Sequence, residues 1–245
     1  MFLIAVQFLT RLPVPVGTRF SCERLAATPR WYPAVGVLVG GIAALAYGLA
    51  ALAWTPALAA LTATAAGLLA TGAFHEDGFA DACDGLGGGA DRTSALRIMR
   101  DSRLGTYGAA GLGLVLAAKV LALAAMPAAV ALWALIGGHA ASRASSALVI
   151  ATGRYARDHG TGKPVAGRLG TPGLAFALAT AAGALVPLAV VAPAAAAGGL
   201  AGLAAGHGLM RRAYGRKLGG YTGDCLGAVQ QTSEVGLLLG ALACL

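Results

Sequence analysis

Six apolar runs, each about long enough to cross a bilayer, limit what this chain can fold into; they fall near residues 33–54, 57–74, 106–126, 128–151, 173–191 and 194–210. A spanning helix needs about 20 apolar residues. A seventh run near 226–245 is interrupted by "QQTSE" and is a marginal span. Alanine and glycine dominate these stretches, which suits helices packed closely through small side chains in lipid. Only 11% of the residues are charged and 58% are hydrophobic, against about 25% charged in a soluble domain. The sequence therefore predicts an all-α, polytopic membrane bundle of six to seven transmembrane helices, folded as a single integral membrane domain over residues 1–245.

Tight proline links, "WTP" at 54–56, "MPA" at 126–128 and "APA" at 192–194, pair the runs into three successive hairpins. The longer segments between hairpins hold nearly all the charge: Arg11, Arg19, Arg24 and Arg30; Arg92, Arg97, Arg100 and Arg103; Arg154, Arg157, Lys163 and Arg168; Arg211, Arg212, Arg216 and Lys217. The proline links carry none, so the positive-inside rule puts the polar segments in the cytoplasm; the expected location is the cell (inner) membrane, as a multi-pass protein. The net charge of +8 is thus first a topology signal, and it also suits anionic headgroups or a phosphorylated substrate. Nucleic acid fits less well, because the basic residues are scattered over short loops with few aromatics among them. Residues 1–30 begin "MFLIAVQFLTRLPVP", too short for a span and without a signal-peptide leader, so an interfacial or half-inserted helix is expected. Cys22, Cys83, Cys225 and Cys244 show no C-x-x-C pair and read as free thiols.

Within this charge-poor chain, "HEDGFADACDG" at 75–85 gathers four of the ten acidic residues. Asp77, Asp81 and Asp84 are spaced i, i+4, i+7 and share one stripe of a helix, read as the end of a span continuing past Phe74 and broken by "GLGGG" at 85–89. Glu76 points away from the stripe. Stacked carboxylates at the mouth of a bundle repel unless a cation neutralises them, and hard oxygen ligands select Mg²⁺, Mn²⁺ or Ca²⁺. Mg²⁺ commonly takes one or two carboxylates and completes its shell with water and substrate phosphates, which points to a diphosphate substrate. The competing reading is a solvated acidic helix end balanced by the arginines that follow.

The segment "RIMRDSRLGTYG" at 97–108 spaces Arg97, Arg100 and Arg103 three apart along a short helix, a candidate phosphate clamp or ordinary positive-inside anchoring. Asp101 among them is either a further metal ligand or the partner of a neighbouring arginine. His139 and Arg143 lie i, i+4 within the fourth run; a charged arginine in lipid should face a polar cavity, as a substrate contact or as a structural partner. Lys119 in the third run follows the same logic but has no polar sequence neighbours; the alternative is that it lies near a helix end and snorkels. Asp224, in "GGYTGDCLGA", is either a helix N-cap or a ligand or substrate contact reaching the first cluster. His75 borders the aspartates, while His159 and His207 have no partner at metal spacing.

Together "FLTRLPVP" at 8–15, "HEDGFADACDG", "RDSRLGT" at 100–106 and "GGYTGDCLGA" at 219–228 resemble the cobalamin synthase family of polytopic membrane enzymes, in order and over almost the whole chain. Glu76, where an apolar residue is commoner in that family, and Phe79 for leucine are the departures. The resemblance implies adenosylcobinamide-GDP ribazoletransferase activity. A ribose hydroxyl of α-ribazole, or of its 5′-phosphate, attacks the phosphorus on the cobinamide side, a phosphodiester forms and GMP leaves. On this reading Asp77, Asp81, Asp84 and Asp101 take Mg²⁺ or Mn²⁺ within an active-site segment spanning 75–105. Arg97, Arg100, Arg103, Arg143 and Asp224 contact substrate, and the proton acceptor lies among Asp81, Asp84 and His75. Its partners are the two substrates and the bilayer, with a second copy of the chain or other cobalamin-assembly enzymes left open. The rival readings are a CDP-alcohol phosphotransferase, whose D-x-x-D-G opening Asp81, Asp84 and Gly85 fit, a cation-coupled transporter, and a purely structural membrane subunit.

Overall fold

A computed structural model describes residues 1–15, 21–101, 103–157, 163–166 and 169–245, with the Cys22 side chain excluded; Arg19, His159 and Arg168 therefore lie outside the described residues. The elements are α1 (Phe2–Leu9), α2 (Cys22–Ala26), α3 (Tyr32–Ala50), α4 (Pro56–Thr71), α5 (Phe74–Gly88), α6 (Arg92–Ile98), α7 (Thr106–Ala125), α8 (Ala128–Thr152), α9 (Thr171–Val191), α10 (Pro193–Leu218) and α11 (Gly223–Leu242), with short 3₁₀ turns at Pro29–Trp31 and Lys163–Val165. Among the described residues there is no strand, only one bridge between Tyr155 and Tyr221.

The protein is an all-α membrane bundle. Every apolar run of the sequence becomes a helix, but three helical stretches, Pro29–Ala50, Thr106–Ala125 and Thr171–Val191, are long and apolar enough by themselves to cross a membrane. The bent pair α4–α5 makes a fourth when counted as one unit. Of the six expected spans, α8 and α10 do not qualify: α8 carries the buried polar groups Ser142, Arg143, Ser145 and Ser146, and α10 is rich in glycine and ends in basic residues, while the marginal seventh run, α11, buries Gln230, Gln231 and Glu234. Such groups lower a helix's hydropathy while neighbouring helices shield them from lipid.

The aspartate segment does not continue the second span. Gly72 and Ala73 both adopt left-handed backbone, φ 65° and 56°, and the chain turns 92° between α4 and α5. A left-handed alanine is strained by about 1–2 kcal/mol, so the turn must be held from outside. The Arg11 N–H donates to the Ala70 carbonyl at 2.8 Å, and the Arg11 side chain lies against Gly72, where a Cβ would strike it. The basic residue of "FLTRLPVP" thus braces the corner from which α5 departs. That helix also runs through Gly85, Gly87 and Gly88 and ends only at Gly89, because Gly85 packs on Met99 and the Ala95 carbonyl with no room for a side chain.

Packing through small residues sets the rest. Gly198, Gly202 and Gly206 on α10 meet Gly240, Gly236 and Thr232 on α11 backbone to backbone, the close approach that glycines four apart permit in lipid. Gly36 and Gly40 do the same for α3 against α8. The hairpin expected at 126–128 opens out: α7 packs on α4, α5 and α11, whereas α8 packs on α3, α9 and α11. Between them stands a buried polar core.

Candidate active site

Four sequence motifs converge at one end of the bundle, and glycines make the convergence possible. Helices α5 and α11 cross where a Cβ on Gly78 would lie 3.1 Å from Asp224 Cα, and where a Cβ on Gly227 would lie 2.8 Å from the His75 carbonyl oxygen. That crossing places Asp224 beside the Asp77–Asp81 face of α5. Asp77 is exposed, Asp81 half-buried and Asp84 buried.

Asp81 feels this crowding. Burial, and then the carboxylates of Asp224, Asp77 and Asp84, push it up from 3.8 to about 7, with Arg157 opposing. Arg157 donates to Asp224 Oδ2 at 3.0 Å, and the backbone holds it there: Ala156 N–H donates to the Tyr221 carbonyl at 2.8 Å, and Tyr221 N–H to the Arg154 carbonyl at 2.9 Å. Arg92 clamps the same corner through the Leu218 and Ala156 carbonyls, at 2.9 and 2.8 Å. Arg157 was legible only as a loop charge, because its partner lies 67 residues further on, beyond the reach of any local spacing rule.

Asp84 ties the second motif to the third. Its two oxygens accept the backbone N–H groups of Gly105, at 2.7 Å, and Gly108, at 2.8 Å, at the N-terminus of α7, where carboxylates are favoured by the helix dipole. A Cβ on either glycine would collide with that carboxylate. Asp101 instead forms an exposed pair with Arg103, Nη2 to Oδ2 at 2.6 Å, whose hydrogen bonds pull Asp101 down to about 2. Helix α6 ends at Ile98, so Arg97, Arg100 and Arg103 do not share one helical stripe, and all three are exposed. Thr222 rather than Asp224 caps α11, accepting from Cys225 N–H.

Behind Asp77 lies a cavity of about 250 Å³ lined by Phe8, Leu9, Tyr32, Phe74, His75, Arg143, Ser146, Val165 and Asp224, among others. Its aromatic wall is interlocked: Phe8 meets Phe74 edge-on at 5.4 Å, and Phe74 meets His75 edge-on at 5.4 Å. His75 is itself buried, 5% exposed, and lines this cavity together with Arg143.

His75 and Arg143 also face the opposite way, into a buried polar core with about 20 Å³ of free space, room for about one water. There Lys119 Nζ sits 2.8 Å from Glu234 and 3.9 Å from Glu76. Glu234 also meets His139 Nδ1 at 3.2 Å, and Gln231 donates to Glu76 at 2.8 Å. Arg143 donates to the His139 carbonyl at 3.0 Å. Lys119 does not snorkel; its partners come from α5 and α11, which a single-helix reading cannot bring to it.

Among the described residues no three His, Cys, Asp or Glu side chains stand close enough to ligate one ion by themselves. The carboxylates nevertheless fit a cation: their repulsion is only partly answered by Arg157, and Mg²⁺ needs just one or two of them when substrate phosphates supply the rest.

An all-α membrane protein with an acidic, aromatic-walled cavity at one end of the bundle is the class that this fold and site define. The chain belongs to the cobalamin-5-phosphate synthase family, whose model matches residues 1–242. It is 46% identical to the adenosylcobinamide-GDP ribazoletransferase of Leptothrix cholodnii, covering 99% of this chain and 95% of that one. The proteins of the same name from Ralstonia nicotianae and Vibrio cholerae are 44% and 38% identical, covering 98% and 99% of this chain and 93% of each relative. No solved structure matches the chain significantly.

Proposed function

We propose that this protein is an adenosylcobinamide-GDP ribazoletransferase acting late in cobalamin assembly, with its acidic site on the cytoplasmic side of the inner membrane. A hydroxyl of α-ribazole, or of its 5′-phosphate, attacks the cobinamide-side phosphorus, the phosphodiester of the nucleotide loop forms, and GMP departs. The observation that carries the reading is the meeting of Asp77 and Asp81 with Asp224 across the Gly78–Gly227 contact, in a chain whose relatives carry that name over nearly their full length.

Asp77 and Asp81 are the carboxylates suited to hold Mg²⁺ or Mn²⁺, since both oxygens of Asp84 are already engaged by α7; Asp84 anchors the segment. Such an ion, when bound, offsets the charge that develops on the leaving phosphate. Arg157 stands beside Asp224, and two of its buried nitrogens, Nε and Nη2, have no protein partner, so it can take a phosphate oxygen without leaving the carboxylate. Arg97 and Arg100, exposed in the segment that follows the aspartate helix, suit the outer part of the diphosphate donor. Of the proton acceptors left open by the sequence, Asp84 is engaged by α7, which leaves Asp81 where the ion sits on Asp77 alone, and otherwise His75 at the rim of the same cavity.

The test is GMP release by purified protein in liposomes given adenosylcobinamide-GDP and α-ribazole 5′-phosphate, with Mg²⁺, Mn²⁺ or EDTA. Metal-dependent release lost in Asp81→Asn, in a variant that still melts cooperatively, supports the assignment. Silence under every metal removes it, and CDP-linked donors become the next substrates to try.

A further inference from the structure

The cavity behind Asp77 is built unlike the acidic surface it opens from. Its lining runs from exposed Asp77 and Phe74 to buried Val165, Leu9 and Tyr32, 1%, 2% and 4% exposed, and this buried part is apolar except for the Tyr32 hydroxyl. Of its lining, Arg143 is 1% exposed and keeps its Nε–H without an acceptor. A buried donor left unpaired is destabilising, and a ligand with one well-placed acceptor would offset this.

From the cavity, and resting on the reaction proposed above, we infer that this is the acceptor-base subsite: it takes the bicyclic heteroaromatic base of α-ribazole, methylated edge toward Val165 and Leu9, ribose toward Asp77 and Asp224. Three features select this occupant from the molecules the reaction handles. A corrin macrocycle is far too wide for about 250 Å³. Guanine carries several donors and acceptors on its edge; turned inward they would find at most the Tyr32 hydroxyl beside Leu9 and Val165, and turned outward to the aspartates they would send the sugar diphosphate into the apolar part. The base of α-ribazole has no donor, one free ring nitrogen to accept from Arg143, and two methyl groups that suit an aliphatic wall. The interlocked Phe8, Tyr32 and Phe74 rings give it a preformed aromatic surface, with little ordering cost on binding. The same placement leaves the ribose hydroxyls next to the carboxylates and so joins the two halves of the site.

Val165 then becomes a specificity residue, because it closes the end where the methyl groups lie. The experiment compares full-length wild type, Val165→Phe and Val165→Ala in nanodiscs. Equilibrium dialysis measures α-ribazole and its analogue without the two methyl groups, and GMP release gives KM for each acceptor and for adenosylcobinamide-GDP. Val165→Phe is expected to lower the preference for the methylated base at least tenfold, while the KM for the donor stays within about twofold. Val165→Ala, which cannot overfill the site, should keep donor KM and admit a base extended by a further fused ring. Equal losses for both acceptors, or a rise confined to donor KM, would overturn the subsite. GMP release with unchanged base preference removes the subsite and leaves the proposed reaction standing. Selective binding shifted by Val165→Phe without any GMP release keeps the subsite and removes the reaction.

Discussion

Lys119 on α7 and Glu234 on α11 form an ion pair at 2.8 Å with only 6% of either side chain exposed, in the middle of a bundle that otherwise coheres through alanine and glycine. Removing one partner of a buried pair leaves an uncompensated charge and costs about 3–5 kcal/mol, whereas replacing both is often neutral. Lys119→Met should therefore be strongly destabilising in an SDS unfolding titration, and Lys119→Met/Glu234→Gln should recover most of the loss. Additive losses in the double variant would mean that the pair is not a coupled unit. Because Glu76 and His139 share the same core, recovery should be incomplete rather than total.

Asp84 offers a separable test of structure against chemistry. Its oxygens hold the N–H groups of Gly105 and Gly108, and hydrogen bonds to a charged group are worth about 1.5–3 kcal/mol each. Asp84→Ala should lower the melting temperature by several degrees and loosen the start of α7, seen as faster amide exchange at 105–109. Gly108→Ala should reproduce that defect while leaving the aspartate intact, since its Cβ would occupy the carboxylate's place. Fast exchange in one variant and not in the other would separate the two residues.

How much of this was legible in the sequence follows from the range over which each signal acts. The helices and the aspartate stripe are set by near neighbours, so spacing finds them; the break expected at "GLGGG" fails because Gly85 packs on Ala95 and Met99, contacts that glycine content does not reveal. The break at Gly72–Ala73 was missed because alanine rarely adopts left-handed backbone, and the brace that holds it, Arg11, comes from another part of the chain. Arg157 with Asp224, and Lys119 with Glu234, are pairings across helices, for which one sequence carries no local mark. Arg143 showed the opposite behaviour: an arginine within an apolar run is costly enough in lipid that its polar surroundings were predictable, although not their identity.

The α10–α11 seam gives a prediction with an internal control. A Cβ on Gly202 would collide with the Gly236 carbonyl, while one on Gly208 of the same helix meets nothing within 4 Å. Gly202→Ala should force the helices apart and cost about 1–3 kcal/mol. Gly208→Ala should be neutral or stabilising by up to about 1 kcal/mol, through helix propensity. SDS titration of both variants reads the difference, and equal behaviour would show that the two helices do not pack through these glycines.

Asp81 links the site to pH. Its carboxyl is raised from 3.8 to about 7 in the folded protein, so folding binds its proton more tightly than the unfolded chain does. The stabilisation is then fully present below pH 3.8 and is lost as pH rises through about 7. In metal-free protein the melting temperature of wild type relative to Asp81→Asn should fall between pH 5 and pH 8, because the asparagine has no charge to desolvate beside Asp77 and Asp224. Added Mg²⁺ should reverse the trend, raising the wild-type melting temperature more at pH 8 than at pH 5, where protons compete for the same oxygens. The Asp81→Asn protein should respond much less at either pH. A wild-type–variant difference that stays flat with pH would place Asp81 in ordinary solvent, and a Mg²⁺ response equal in both proteins would put the cation elsewhere.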